Sequence, residues 1–140
     1  MPSAGLIDAG AILAIVEVDD AFHSACLESL SLVYMPLLTT EAVLTELLHL
    51  VRRTNIEAAW SFVRSGAVTV RPMTDSDLPA LHGLMSQYGD RPMDFADATL
   101  VHLAARESLS LILTVDHDDF ETYRIGGRKR FTILPQRASK

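Results

Sequence analysis

The residues of this chain best suited to chemistry are carboxylates, and two of them sit where a core is expected. The stretch PMDFADATLVHLAARES, residues 92–108, reads as a helix opened by Pro92. Its apolar side is set by Ala98, Leu100, Val101, Leu103, Ala104 and Ala105. At about 100° per residue, Asp97 falls within about 20° of the middle of that side and Asp94 within about 40°. Thr99, His102, Arg106 and Glu107 fall opposite. Burying an unpaired carboxylate costs several kcal/mol, so Asp97 needs a partner, a proton, or a polar cleft that holds a cation. The nearest basic residue on the helix, Arg106, lies on the wrong side.

Two more aspartates close apolar runs: Asp8 follows GLI and Asp116 follows LILTV. Carboxylates gathered at one place repel one another, and a divalent cation removes the repulsion. Hard oxygen donors favour Mg²⁺ or Mn²⁺ over Zn²⁺. Asp8, Asp97 and Asp116, with Asp94, are therefore the candidate metal ligands. Glu46, in EAVLTELLHLVRR, lies about 110° from the middle of its apolar face, a position that suits a solvated surface residue equally well. Each aspartate also has a structural explanation. Asp94 can cap its helix, with Asp97 completing a capping-box-like pair, and Asp8 can cap the helix after it. Asp118 or Asp119 can cap a short helix at FETY.

Other chemistries find no support. His23, His49, His82, His102 and His117 form no HxH or HExxH pattern, against a histidine-rich metal site. There is no GxGxxG or Walker loop and no nucleophile elbow. The single cysteine, Cys26, reads as a small buried hydrophobe and excludes an internal disulfide, which fits a reducing cytoplasm. No apolar run approaches the roughly 18 residues that cross a bilayer, and the N-terminus lacks the basic lead of a signal peptide. The net charge of −6 is uneven: residues 1–120 hold 17 acidic and 6 basic residues, residues 121–140 one acidic and six basic. An acidic body argues against sequence-independent DNA coating, though not against a nucleic-acid substrate met through bound metal. GGRKR, residues 126–130, reads as a solvated basic hairpin that could also touch phosphate.

These residues need a frame. AGLID predicts a short buried strand ending at Asp8, AGAILAIV and AFHSACLESLSLV helices, and MPLL a second strand. Thr39 or Thr40 can cap the helix EAVLTELLHLVRR, and Asn55 can cap IEAAWSFVRS, stopped by Gly66. AVTVR alternates as a strand, TDSDLPALHGLMSQYG reads as a helix, LSLILTV as a strand covered on both faces, and RFTIL as the last strand. Strands alternating with helices predict an α/β fold with a mainly parallel sheet in one domain, residues 1–140. Ligands in such folds bind beyond the carboxyl ends of the strands, where Asp8 and Asp116 fall.

The acids come in an ordered set: a strand-end Asp, a helical Glu, a DxxDA helix start, then TxD before DF. In LIDAGAILAIVEVDDAFHSAC, LLTTEAVLTELLHLVRR, MDFADATLVHLAARE and LILTVDHDDFETYRI, spread over nearly the whole chain, this resembles a PIN-domain ribonuclease of the VapC type, the toxin of bacterial toxin–antitoxin pairs. The resemblance implies a three-layer α/β/α fold with acids converging at one cleft. It implies Asp8, Glu46, Asp97 and Asp116 as the catalytic quartet, with Asp94 as an auxiliary acid and Asp119 as the Asp of the trailing DF. It further implies Mg²⁺ or Mn²⁺, hydrolysis of RNA phosphodiester bonds, a homodimer, an antitoxin partner and no membrane. Many relatives carry Thr or Ser directly after the first Asp; this chain has Ala9, with Thr114 near Asp116. Two other classes compete. A non-catalytic PIN-like module that binds RNA or protein would not need the acid set. A phosphoacceptor receiver domain would want paired acids at the first strand end and a late-strand lysine, whereas GLIDAG offers one Asp and the lysines are Lys129 and Lys140.

Overall fold

Three strands of this chain are buried along their whole length, and that fixes the architecture. Successive strand residues point to opposite faces, so burial of every residue in β1 (Gly5–Ile7), β2 (Leu37–Thr39) and β4 (Leu111–Leu113) means that both faces of the sheet are covered. The computed structural model describes residues 4–137; the ends of the expected 1–140 domain lie outside the described residues. Helices α1 (Ala9–Val16), α2 (His23–Leu30), α3 (Glu41–Leu50) and α4 (Ile56–Arg64) come before β3 (Val68–Val70). Then α5 (Leu78–Gln87) and α6 (Phe95–Glu107) lead into β4, and α7 (His117–Thr122) follows it. A hairpin of β5 (Arg124–Ile125) and β6 (Lys129–Arg130) precedes β7 (Thr132–Leu134).

The five-stranded sheet runs β3-β2-β1-β4-β7 with every pairing parallel, the mainly parallel, helix-flanked sheet that the sequence predicts. From β1 the chain builds outward through β2 and β3, then returns to lay β4 on the other side of β1. The direction of winding reverses between β1 and β4, which opens a crevice at their carboxyl ends. Gly5 permits the close approach of these two strands, since a Cβ there would stand 2.7 Å from the Leu111 carbonyl oxygen. Gly10 does the same for the loop after β4: a Cβ would meet Val115 Cγ2 at 2.7 Å.

Several boundaries differ from the sequence reading, each for a local reason. The helix expected to open at Pro92 starts at Phe95, because Asp94 takes the cap and its carboxylate accepts the Asp97 N–H. Thr99, expected on the polar side, is fully buried. Its hydroxyl bonds the Thr40 hydroxyl at 2.8 Å and the Ala96 carbonyl at 2.6 Å, joining α6 to the start of α3. Thr40 caps α3, while the Thr39 hydroxyl donates to the Ile7 carbonyl at 2.9 Å. Asn55 precedes α4 without a side-chain cap, its amide donating to the buried Glu17 instead. Asp116, not Asp118 or Asp119, caps the helix after β4. A short 3₁₀ turn, Asp75–Asp77, comes before α5, with Thr74 and Asp77 forming a reciprocal capping box. Asp77 also accepts from His102 and Arg106, so the polar side of α6 is tied to α5. The last strand begins at Thr132, because Arg130 belongs to the hairpin.

Candidate active site

Each acid of the crevice is positioned by the end of a sheet strand or the first turn of a helix. Asp8 is buried where β1 passes into α1. Its Oδ1 accepts the Ala9 N–H at 2.7 Å and its Oδ2 accepts the Thr114 hydroxyl at 3.0 Å. Thr114 Oγ1 in turn accepts the Asp116 N–H at 3.0 Å. One buried hydroxyl from the end of β4 therefore spaces the acids of both central strands. The hydroxyl absent at Ala9 has a counterpart here. Asp116, at the open edge, aligns α7 by accepting the Asp119 N–H at 3.4 Å.

Asp94 accepts the Asp97 N–H at 2.7 Å, the cap that the sequence suggests. The other half of the expected pair is not made. The Asp97 side chain turns inward, is 6% exposed, and accepts the Tyr123 hydroxyl at 2.8 Å through Oδ2. Tyr123 is fully buried, its ring held edge-on against Tyr88 and Phe120 at centroid distances of 5.1 and 5.2 Å. A buried tyrosine packs its ring and directs its hydroxyl at a partner; here that partner is the least exposed acid of α6.

Asp97, Asp116 and Asp119 each offer a carboxylate oxygen within 4.8 Å of the others. Asp8, Asp94 and Glu46 surround this trio closely enough for their charges to be felt. Burial first, then the Asp8 and Asp94 charges, hold the Asp97 carboxyl well above the usual carboxylate range. Burial also pushes Asp8 up to about 6 and Glu46 to about 7, with Asp8, Asp94 and Asp116 adding repulsion at Glu46. Asp116 is raised by burial and by its contact with Asp119. Among the described residues one cation reaches the cluster: Arg91 Nε donates to Asp119 Oδ1 at 2.9 Å. A group of acids that raise one another's affinity for protons is a site suited to positive charge.

The PIN domain profile matches residues 5–125, most of the chain. The chain belongs to the PIN domain family. It is 29% identical over 134 residues to Ribonuclease VapC26 of Mycobacterium tuberculosis (strain ATCC 25618 / H37Rv), an alignment covering 93% of this chain and 99% of the relative. Its fold matches the crystal structure of Mycobacterium tuberculosis VapC20, described as a Sarcin-Ricin loop cleaving toxin. The TM-score is 0.72 at 20% identity, over 82% of this chain and 92% of that one.

Within this PIN domain, the sequence-predicted Asp8, Glu46, Asp94, Asp97 and Asp116 all reach the crevice or its rim. Asp119, marked in the sequence only by the DF motif, stands inside the trio of close carboxylates. Tyr123 and Arg91 were missed. Tyr123 follows Asp119 by one helical turn, a spacing that shows after the fold is known and not before. The donor set fits a hard divalent cation: the ligands are carboxylates, with no thiolate or imidazole among the trio. Thr114→Val removes the hydroxyl at constant shape, leaving an Asp8 oxygen and the Asp116 N–H unpaired. A loss of about 1–3 kcal/mol is expected in urea unfolding followed by circular dichroism. An unchanged midpoint would mean that water replaces the hydroxyl at no cost.

Proposed function

We propose that this PIN domain is the ribonuclease toxin of a toxin–antitoxin pair, a metal-dependent endoribonuclease acting in the cytoplasm as a single domain, 1–140. The observation that carries the reading is the trio of carboxylates at the switch point of a parallel sheet, ringed by three more acids. Asp97, Asp116 and Asp119, with Asp8 and Asp94 directly or through water, would hold Mg²⁺ or Mn²⁺. When bound, the ion lowers the pKa of a coordinated water and offsets charge on the phosphoryl oxygens. Glu46, half-buried within reach of the Asp8, Asp94 and Asp116 charges, is placed to accept the proton of the attacking water. Asp8 is held by two hydrogen bonds and fixes the crevice wall. Tyr123 keeps one oxygen of Asp97 occupied and so orients the other.

In this reading water attacks the phosphorus in line with the departing 3′ oxygen, and the RNA 2′-hydroxyl takes no part. The expected products carry 5′-phosphate and 3′-hydroxyl ends. The partners proposed are RNA, a second copy of the chain, and an antitoxin that blocks the acids with a basic side chain. No helix among the described residues is long and apolar enough to cross a membrane. The test is incubation of RNA with the protein and Mg²⁺ or Mn²⁺, with and without EDTA, followed by end-group analysis. Cleavage that persists undiminished in EDTA would sink the metal-dependent reading.

Arg91 supplies a second test. Its guanidinium occupies Asp119, so it competes with a cation for the same oxygen. Exposed ion pairs are worth about 0.2–1 kcal/mol, so Arg91→Ala should tighten Mn²⁺ binding up to about fivefold by isothermal titration calorimetry. Weaker binding in that variant would show that Arg91 supports the site.

A further inference from the structure

A groove of about 660 Å³ leads away from the acids between α3 and the start of α6. One wall is a single face of α3, built by Glu41, Thr45 and His49 at four-residue spacing with Ala42 and Glu46 beside them. The other wall is the start of α6: Asp94, Phe95 and Ala96. Glu46 and Asp94 belong to both the groove and the acid site, so whatever lies in the groove adjoins the reacting centre. Phe95 is 46% exposed at the first position of α6. A lone exposed phenylalanine is ordinary on a protein surface; its place is what matters. Phe22, Tyr34, Trp60 and Phe95 are the exposed aromatic residues among the described ones, and of these Phe95 alone lines the groove.

We infer that this groove is a nucleobase subsite, in which Phe95 stacks on a base next to the scissile phosphate. The inference rests on the ribonuclease reading and extends it to how RNA is held. A cation held by the acid site would draw the phosphate there, whereas Glu41 on the far wall of the groove offers phosphate only repulsion, so the backbone lies over the acid site and the flat base enters the groove. Single-stranded RNA is recognised largely by bases splayed out onto aromatic rings, and such stacking tolerates any base because each has a π-face. The volume lies within the range of small-ligand sites, about 300–1,000 Å³.

The test couples a protein change to a substrate change. The probe is an oligoribonucleotide that the wild type cuts once, together with versions abasic at each position flanking the cut. With the wild type, one abasic position raises KM about tenfold or more. Phe95→Ala raises KM on the intact probe by a similar factor, with kcat little changed, and removes the abasic penalty. Phe95→Trp restores both. A general structural defect would lower activity on every probe and leave the penalty intact, and that result overturns the inference. So does a Phe95→Ala protein that cuts like the wild type while losing a co-expressed protein partner, which would assign the groove to that partner. If the wild type cuts and binds no oligoribonucleotide from which such a probe can be taken, the ribonuclease reading falls as well, whereas a Phe95→Ala protein with normal cutting and an unchanged abasic penalty overturns stacking alone.

Discussion

Asp97→Asn is expected to lower RNA cleavage by at least about 10²–10³-fold while raising the melting temperature of the metal-free protein. Both effects come from one cause. Asp97 is buried against Asp8 and Asp94, and its carboxyl is held well above the usual range, so at neutral pH the metal-free fold must either hold its charge against its neighbours or take up a proton that the unfolded chain does not carry. The amide keeps the shape and keeps an oxygen to accept the Tyr123 hydroxyl. It removes the charge that a cation needs. A pKa displaced by one unit corresponds to about 1.4 kcal/mol, so relief of about 1 kcal/mol or more is reasonable. For a domain of this size that is about 2–4 °C. Mg²⁺ at about a hundred times its dissociation constant should stabilise the wild type by about 2.7 kcal/mol and the variant by much less. Paired melts with Mg²⁺ and with EDTA, beside an RNA cleavage assay, read all three quantities. A variant that folds and cleaves like the wild type would remove Asp97 from the machinery. One that is destabilised in EDTA would show that its charge is compensated in the native state.

The acids were legible because their conflict was local. A carboxylate on the apolar side of a helix can be seen from about 100° periodicity alone, and the strand-end positions of Asp8 and Asp116 follow from apolar runs that stop there. The parallel sheet was legible for the same reason: LIL is buried on every residue, which a solvated strand cannot be. Partner identity was not legible. The sequence shows that Asp97 needs something, but whether a cation or a hydroxyl supplies it depends on how α7 returns across the crevice. Tyr123 arrives from 26 residues downstream. The Thr40–Thr99 bond explains why Thr99 was misplaced: a hydroxyl scored as polar is buried once another hydroxyl faces it. The cap of α7 was assigned too late in the chain because Asp116, Asp118 and Asp119 are chemically alike. Choosing Asp116 requires the Thr114 contact that fixes its backbone.

The pH dependence of stability should run opposite to that of a protein held by ordinary salt bridges. In the crevice, Asp8 rises from 3.8 to about 6 and Glu46 from 4.5 to about 7, and Asp97 and Asp116 are raised as well. The folded chain therefore holds more protons than the unfolded one between about pH 4 and 7. Stability then falls as pH rises through that window. The contribution is fully present below the unfolded values and is lost as the folded values are passed. Asp8 alone, fully desolvated, accounts for something on the order of 3 kcal/mol. Asp77 works the other way: held at about 2 by the Thr74 N–H and His102, it stabilises above pH 3.8 and loses that effect only as pH falls through about 2, outside the window. Metal reverses the trend, because carboxylates must release protons to bind a cation. Thermal melts from pH 4.5 to 8 should show Tm declining in EDTA and the Mg²⁺-induced gain widening steadily with pH. Asp97→Asn should flatten both curves. A Tm in EDTA that stays level or climbs across this range would mean that the acids do not oppose one another and that no repulsion among them draws a cation to the crevice.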